Sequence, residues 1–209
     1  KIAAIPGIAA AGFASHIPMD SVQNNGPVIV EGQDVAPGET APQRRWLRVS
    51  PGYFTAMGTR IIAGRDVTWD DFEAGGRVAI ISEDFARELA VEPAGSLGKR
   101  IRIGPFAQDD WKEVIAVVRK VQHDGLQAAA PSSVYWPTLA ANTLGAPITG
   151  VSSVAFAVRT ERAGVSTLVE EIRQVVRSVS ASVPVAQERT MGDLYAASLA
   201  RTSFTMVLL

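Results

Sequence analysis

Two hydrophobic periods stand side by side near the C-terminal end of the chain, and together they fix the fold class. In SSVAFAVRT, Ser152 to Thr160, the apolar residues Val154, Phe156 and Val158 recur at every second position, on one face of a strand. Soon after, Val165, Leu168, Val169, Ile172, Val175, Val176 and Val179 recur with the spacing of an amphipathic helix, with Glu170, Glu171, Arg173 and Arg177 on its wet side. VPVAQ, Val183 to Gln187, reads as a further strand. Thr190 with Asp193 has the spacing of a capping box and starts a last helix. The closing third is therefore βαβα, and the chain is mixed α and β.

The first third is mostly strand. GIAAAGFAS (Gly7 to Ser15), VIVEG (Val28 to Gly32) and RRWLRVS (Arg44 to Ser50) are separated by loops rich in Pro, Gly, Asn and Asp. VSPGYFTAMGTRIIAGRD follows, in which Ser50 reads as an N-cap and Pro51 as the first helical residue. Tyr53, Phe54 and Met57 then share one side of a helix over 51 to 57, Gly58 closes it, and TRIIAG up to Gly64 is a strand. Arg65 and Asp66 open an acidic loop, RDVTWDDFEAGG. A middle block from Arg77 to Pro131 holds the strand VAIIS, a helix capped by Ser82, and a hairpin of KRIRIG with WKEVIAVVRKV. SSVYWP, Ser132 to Pro137, begins the third block.

Composition narrows the function. Twenty basic against 21 acidic residues leave a net charge of −1, so no global field draws nucleic acid. Zero cysteines remove thiol catalysis, disulfides and Cys-based metal sites. No apolar run reaches the roughly 18 residues of a membrane span, although the final FTMVLL has the character of the start of one.

No catalytic, cofactor-binding or metal-binding residue emerges. His16 and His123 lie in loop contexts, HIP and QHDG, and read as surface or turn histidines. Asp66, Asp70, Asp71 and Glu73 would suit a hard cation in number, but their spacing is not that of a calcium loop, and Arg65 and Arg77 stand close by for pairing. GSLGKR fails as a phosphate loop because only two residues separate its glycines and a strand follows. Asp84 and Glu88 share a helix face with Arg87 beside them, which reads as a wet face. Pro51, Tyr53, Phe54, Met57, Gly58, Gly64, Arg65 and Asp66 are the structural candidates.

LRVSPGYFTAMGTRIIAGRDVTWDD resembles the signature of the MacB-like periplasmic core domain of FtsX-type ABC transporter permeases. VAIISEDFARELA, AGSLGKRIRIG, EVIAVVRKVQHDGL and VYWPTL are similar to its later blocks, in the same order, and TMGDLYAASLARTSFTMVLL to the run into a transmembrane helix. The HDGL and SLARTSF runs are most similar to permeases of unassigned substrate common in soil bacteria. The resemblance implies an α+β, two-lobed periplasmic domain: a porter-like α/β lobe from 1–76 plus 132–209, with a smaller lobe of 77–131 inserted. It further implies a non-catalytic module on the periplasmic side of the bacterial inner membrane, coupling ATP-driven helix movement to a periplasmic partner or cargo. A second permease copy or half, a cytoplasmic ATP-binding subunit and a periplasmic accessory protein would be its partners; ATP would bind the ATPase and not this chain. A tethered ligand-binding sensor domain and a soluble cation-dependent hydrolase stay open as alternatives from the residues alone.

Overall fold

The computed structural model describes all residues except 21–23, 34, 37, 75, 91, 105–110, 124–129, 138–152 and 208–209, and the side chains of 201–209. The loops PFAQDD and TLAANTLGAPITG and most of the HDGL turn lie outside the described residues.

Among the described residues, nine strands form one mixed sheet. They are β1 (Ile8–Ala14), β2 (Asn25–Val30), β3 (Gln43–Val49), β4 (Ile61–Gly64), β5 (Val78–Ser82), β6 (Arg100–Ile103), β7 (Lys112–Val118), β8 (Ser133–Pro137) and β9 (Ala155–Thr160). Along the sheet the order is β2, β6, β7, β5, β8, β3, β1, β9, with β4 added on β7. β2 pairs with β6 through Val28 to Val30 and with β3 through Asn25 to Pro27, so these pairings close a ring of six strands. The three strands from 77–131 are neighbours in the order β6, β7, β5, continued by β2 beyond β6 and by β8 beyond β5, with β4 also paired on β7. The helices are α1 (Tyr53–Met57), α2 (Trp69–Glu73), α3 (Glu83–Leu89), α4 (Ser166–Arg177) and α5 (Met191–Val207). Among the described residues no helix is long and apolar enough to cross a membrane.

Burial of both sheet faces explains the nearly continuous apolar runs of the central strands. Ile80 and Tyr135 face a core shared with Leu47, Val49, Phe54, Val118 and Ala157. Their neighbours Ala79, Ile81, Val134 and Trp136 face a second core with Val28, Phe85, Ile101 and Val114. The bulge in the β5 and β7 register, between Ala79 and Ile80, keeps the alternation in step across that pair. Ser82 caps α3, its Oγ accepting from the Phe85 N–H at 3.5 Å, and it also accepts from the Ser133 N–H at 2.9 Å. One hydroxyl thus sets the helix start and the height of β8.

Several expectations need correction. Residues 68–73 are not a loop: Thr68 and Asp71 form a reciprocal capping box that starts α2. Residues 183–187 make no strand. Pro184 removes a ladder donor, Gln187 sits at φ 59, and Val183 stays 51% exposed, so β9 pairs only with β1 among the described strands. The capping box of α5 forms as read, with the Asp193 carboxylate accepting from the Thr190 N–H at 2.8 Å. The α4 stripe is only half covered, with Leu168 alone fully buried in that helix.

Candidate functional site

The first and last of the described strands, β1 and β9, lie together, antiparallel, with Ala11 opposite Val158 and Phe13 opposite Phe156. Helix α1 packs on one face of this pair. Gly12 permits the approach, since a Cβ there would stand 2.4 Å from the Tyr53 nitrogen and 2.5 Å from its Cα. On the opposite face Phe13 and Phe156 meet edge to face at 5.6 Å, and Phe156 remains 48% exposed.

The sequence from Ser50 onward explains how α1 is held. Helix formation starts two residues later than expected, because Gly52 adopts φ 80 and takes the N-cap position. Ser50 is therefore not the cap. Its Oγ accepts from the Phe13 N–H at 2.8 Å and donates to the Pro51 carbonyl at 3.0 Å, tying β1 to the turn. The cap is supplied from elsewhere: Asp66, just beyond β4, accepts from the Gly52 N–H at 3.3 Å through Oδ2 and from the Val67 N–H at 2.8 Å through Oδ1. At the far end Gly58 at φ 70 stops the helix, and Arg159 of β9 donates through Nε to the carbonyls of Thr55 and Ala56. Positive charge at a helix C-terminus also suits the backbone dipole. Five residues are thus fastened at both ends by distant parts of the chain.

Tyr53 and Phe54 are buried in the first core, and Met57 lies half-buried against it. Phe54 meets the Tyr135 ring edge to face at 5.0 Å. Burial pushes the Tyr53 and Tyr135 hydroxyls well above the usual phenol range, so both stay neutral at physiological pH. Gly64 at φ 78 closes β4 directly over the β7 backbone.

Asp66 and Asp71, after β4, are occupied structurally. Burial raises the Asp66 carboxyl, and its two backbone bonds pull the other way. Asp71 receives the Arg65 guanidinium on both oxygens, at 2.7 and 2.9 Å, as well as the Thr68 N–H at 2.7 Å. The Arg65 hydrogen bond is the main cause holding Asp71 down at about 2. A carboxyl depressed in the folded state stabilises the protein above its unfolded pKa, and the benefit is lost as pH falls from about 4 toward 2. The stability gap between the wild type and Asp71→Asn is expected to be about 1 kcal/mol at pH 6, because half-exposed Arg65 is screened by solvent. Denaturant melts should show that gap closing by pH 2, whereas a constant gap would remove the ion-pair assignment. Among the described residues no three His, Asp or Glu side chains converge as metal ligands.

Neither histidine is a surface residue. His16 and His123 are each 3% exposed, because the chain after β1 folds back on the segment after β7, with the Met19 N–H donating to the His123 carbonyl at 2.8 Å. Periodicity could not find this contact, since it joins two irregular segments. Asp84 pairs with Arg87, but Glu88 reaches out of its helix to Arg44 and to the Ser132 hydroxyl.

A profile of the MacB-like periplasmic core domain family matches residues 4–175. A search of curated protein sequences gave no match. Among solved structures, the periplasmic region of MacB from Actinobacillus actinomycetemcomitans superposes with a TM-score of 0.53 at 15% identity, over 85% of this chain and 70% of that one. A domain of a putative permease protein from Porphyromonas gingivalis gives 0.51 at 22% identity, over 83% and 65% of the two chains. The extracellular domain of the noncanonic ABC-type transporter YknZ from Gram-positive bacteria gives 0.50 at 18%, over 87% and 81%. These likenesses concern the fold, while the family profile covers most of the chain: it belongs to the MacB-like periplasmic core domain family, the extracytoplasmic domains of ABC transporter permeases.

Proposed function

We propose that this domain is a non-catalytic relay on the periplasmic side of the inner membrane. It passes ATP-driven movement of membrane helices to a periplasmic partner or cargo. The observation that supports the reading most is the pairing of β1 with β9. Force applied at the start of β1 or at the end of β9 loads the same edge of the sheet. Helix α1 rests on that edge, tied to it by Arg159 of β9 at one end and to the segment just beyond β4 by Asp66 at the other. Displacement of the β1–β9 pair is then carried into the first core through Tyr53 and Phe54 and into β4 through Asp66. A packed core passes displacement on because it has little free volume to absorb it. In this reading a second permease copy or half and a cytoplasmic ATP-binding subunit complete the machine, and a periplasmic accessory protein receives the movement.

The test uses the full-length permease with its ATPase in lipid nanodiscs. This chain has no cysteine, so Thr55→Cys, at an exposed position on α1, gives a single spin label in each copy of the domain. The distance between the labels of two copies is expected to change between the nucleotide-free and ATP-vanadate states. An unchanged distance distribution, with ATP turnover intact, would sink the relay.

A further inference from the structure

Arg60 and Arg119 stand opposite each other where the β4–β7 ladder begins, with the Arg119 N–H donating to the Arg60 carbonyl at 2.9 Å. Side chains opposed in this way share a face with their Cβ atoms roughly 5 Å apart, and like charges placed so repel. Both residues are exposed, as is Lys120 beside them, and none of the three side chains makes an ion pair among the described residues. The carboxylates at the start of α3 do not supply one. Glu83 accepts from the Lys120 N–H at 3.0 Å and from Arg87 at 3.0 Å, and Asp84 accepts from Arg87 at 2.8 Å. Unmatched positive charge therefore collects at the start of β4, in a chain whose net charge is −1.

The sign reverses past the other end of the same strand. Asp70 and Glu73 of α2 are exposed and make no ion pair among the described residues, because Arg65 is held by Asp71 on both oxygens. Arg77, the next cation along the chain, is exposed and pairs with neither. Trp69 is 56% exposed, its ring held in place at 5.3 Å against the buried Phe72. Between the two charged ends Ile61, Ile62 and Ala63 are only half-buried, and β4 pairs with β7 and with no other described strand. A two-fold axis perpendicular to β4 and beside its midpoint exchanges the ends of the strand. The surface is then its own complement, which is the condition for an isologous contact.

We propose that β4 and its two charged ends form the face through which two copies of this domain meet. A different protein of one charge would match half of this surface, whereas a second copy matches both halves, twice. Arg60 and Arg119 of one copy meet Asp70 and Glu73 of the other, with the Trp69 indole offering its face to a guanidinium. The half-buried apolar residues lie at the centre and the charges at the rim, as in other interfaces. Exposed ion pairs are individually weak, so the contact depends on the high local concentration of two copies in one membrane assembly. It rests on the reading that permease copies work in pairs. It also lies beside the relay, since Asp66 just beyond β4 caps α1.

The experiment uses the full-length permease with its ATPase in lipid nanodiscs, on a background without other reactive cysteines. One tagged copy carries Lys120→Cys, and a differently tagged copy carries Asp70→Cys. A short bis-maleimide is expected to join the two copies. Arg60→Glu with Arg119→Glu in the first copy should lower the yield about tenfold, as expected when weak pairs become repulsive. Adding Glu73→Lys to the second copy should restore most of it. Lys99→Glu with Arg177→Glu, at exposed cations elsewhere, should leave the yield unchanged. No cross-link in either the nucleotide-free or the ATP-vanadate state, a yield indifferent to charge reversal, a loss without rescue, an equal loss in the Lys99 and Arg177 variant, or capture of a different chain would each overturn the proposal. A cross-link with an unchanged Thr55 label distance would leave this face standing and remove the relay; a changed distance without a cross-link would do the opposite.

Discussion

Replacing Phe54 with Ala is expected to destabilise the domain by about 3 to 5 kcal/mol, the range for truncating a buried aromatic residue in a core. Phe54 is 1% exposed, stacks edge to face on Tyr135 at 5.0 Å and on Tyr53 at 5.4 Å, and belongs to a core with Leu47, Val49, Ile80 and Val118. The residual cavity would be enclosed by β-strand backbone on one side and by a short helix fastened at both ends on the other. Neither surface can collapse easily into the gap, which places the expected loss toward the upper end. A domain of this kind has about 5 to 15 kcal/mol in total, so the variant should show a large fall in denaturant midpoint at unchanged slope. Phe54→Leu fills part of the volume and should cost clearly less. A loss under about 1 kcal/mol for Phe54→Ala would remove α1 from the core and with it the route by which the relay is proposed to act.

The parts of this fold that were legible in the sequence are those whose partners are close along the chain. The RRWLRVS run predicted β3, because period two follows from the pleat alone, and the structure puts its Leu47 and Val49 in the first core. Ser82 before Glu83 and Asp84 predicted the α3 start for a similarly local reason. Ser50 before Pro51 carried the same signature and misled, since its hydroxyl is taken by the Phe13 N–H, 37 residues away. The Thr68 and Asp71 capping box was present in the sequence, but four neighbouring carboxylates made the segment read as a solvated loop. VPVAQ has β composition and no pairing, which shows that a strand needs an edge brought to it as well as the right residues. Within the candidate site, Tyr53, Phe54, Met57 and Gly58 could be placed by helix spacing and capping. The roles of Asp66 and Arg159 could not, because each caps α1 from a remote segment. The burial of His16 and His123 was hidden for the same reason.

Gly58, which ends α1, and Gly64, which ends β4, separate two physical effects that a sequence reading merges. Both have positive φ, 70 at Gly58 and 78 at Gly64, so an L side chain at either costs about 1 to 2 kcal/mol in backbone strain. What a new Cβ would meet differs. At Gly58 the nearest atom is the Arg159 Nη2 at 2.2 Å, the end of a flexible side chain that can swing aside while its Nε bonds weaken. At Gly64 the nearest atoms are the Ile115 carbonyl oxygen at 2.0 Å and the Ala116 Cα at 2.8 Å, which are backbone of a central strand. That strand pairs with β5 and β6 as well as β4, so it cannot retreat without loosening both of its other ladders. Gly58→Ala is therefore expected to cost about 1 to 2 kcal/mol, and Gly64→Ala about 4 kcal/mol or more, in the range where a named steric mechanism is required. Because β4 also delivers Asp66 to the N-terminus of α1, the larger effect should be accompanied by exposure of the Gly52 and Tyr53 amides in hydrogen exchange, a change that Gly58→Ala should not produce. If the two substitutions cost the same, strain alone governs both positions, and the close contact of Gly64 with β7 has no energetic weight.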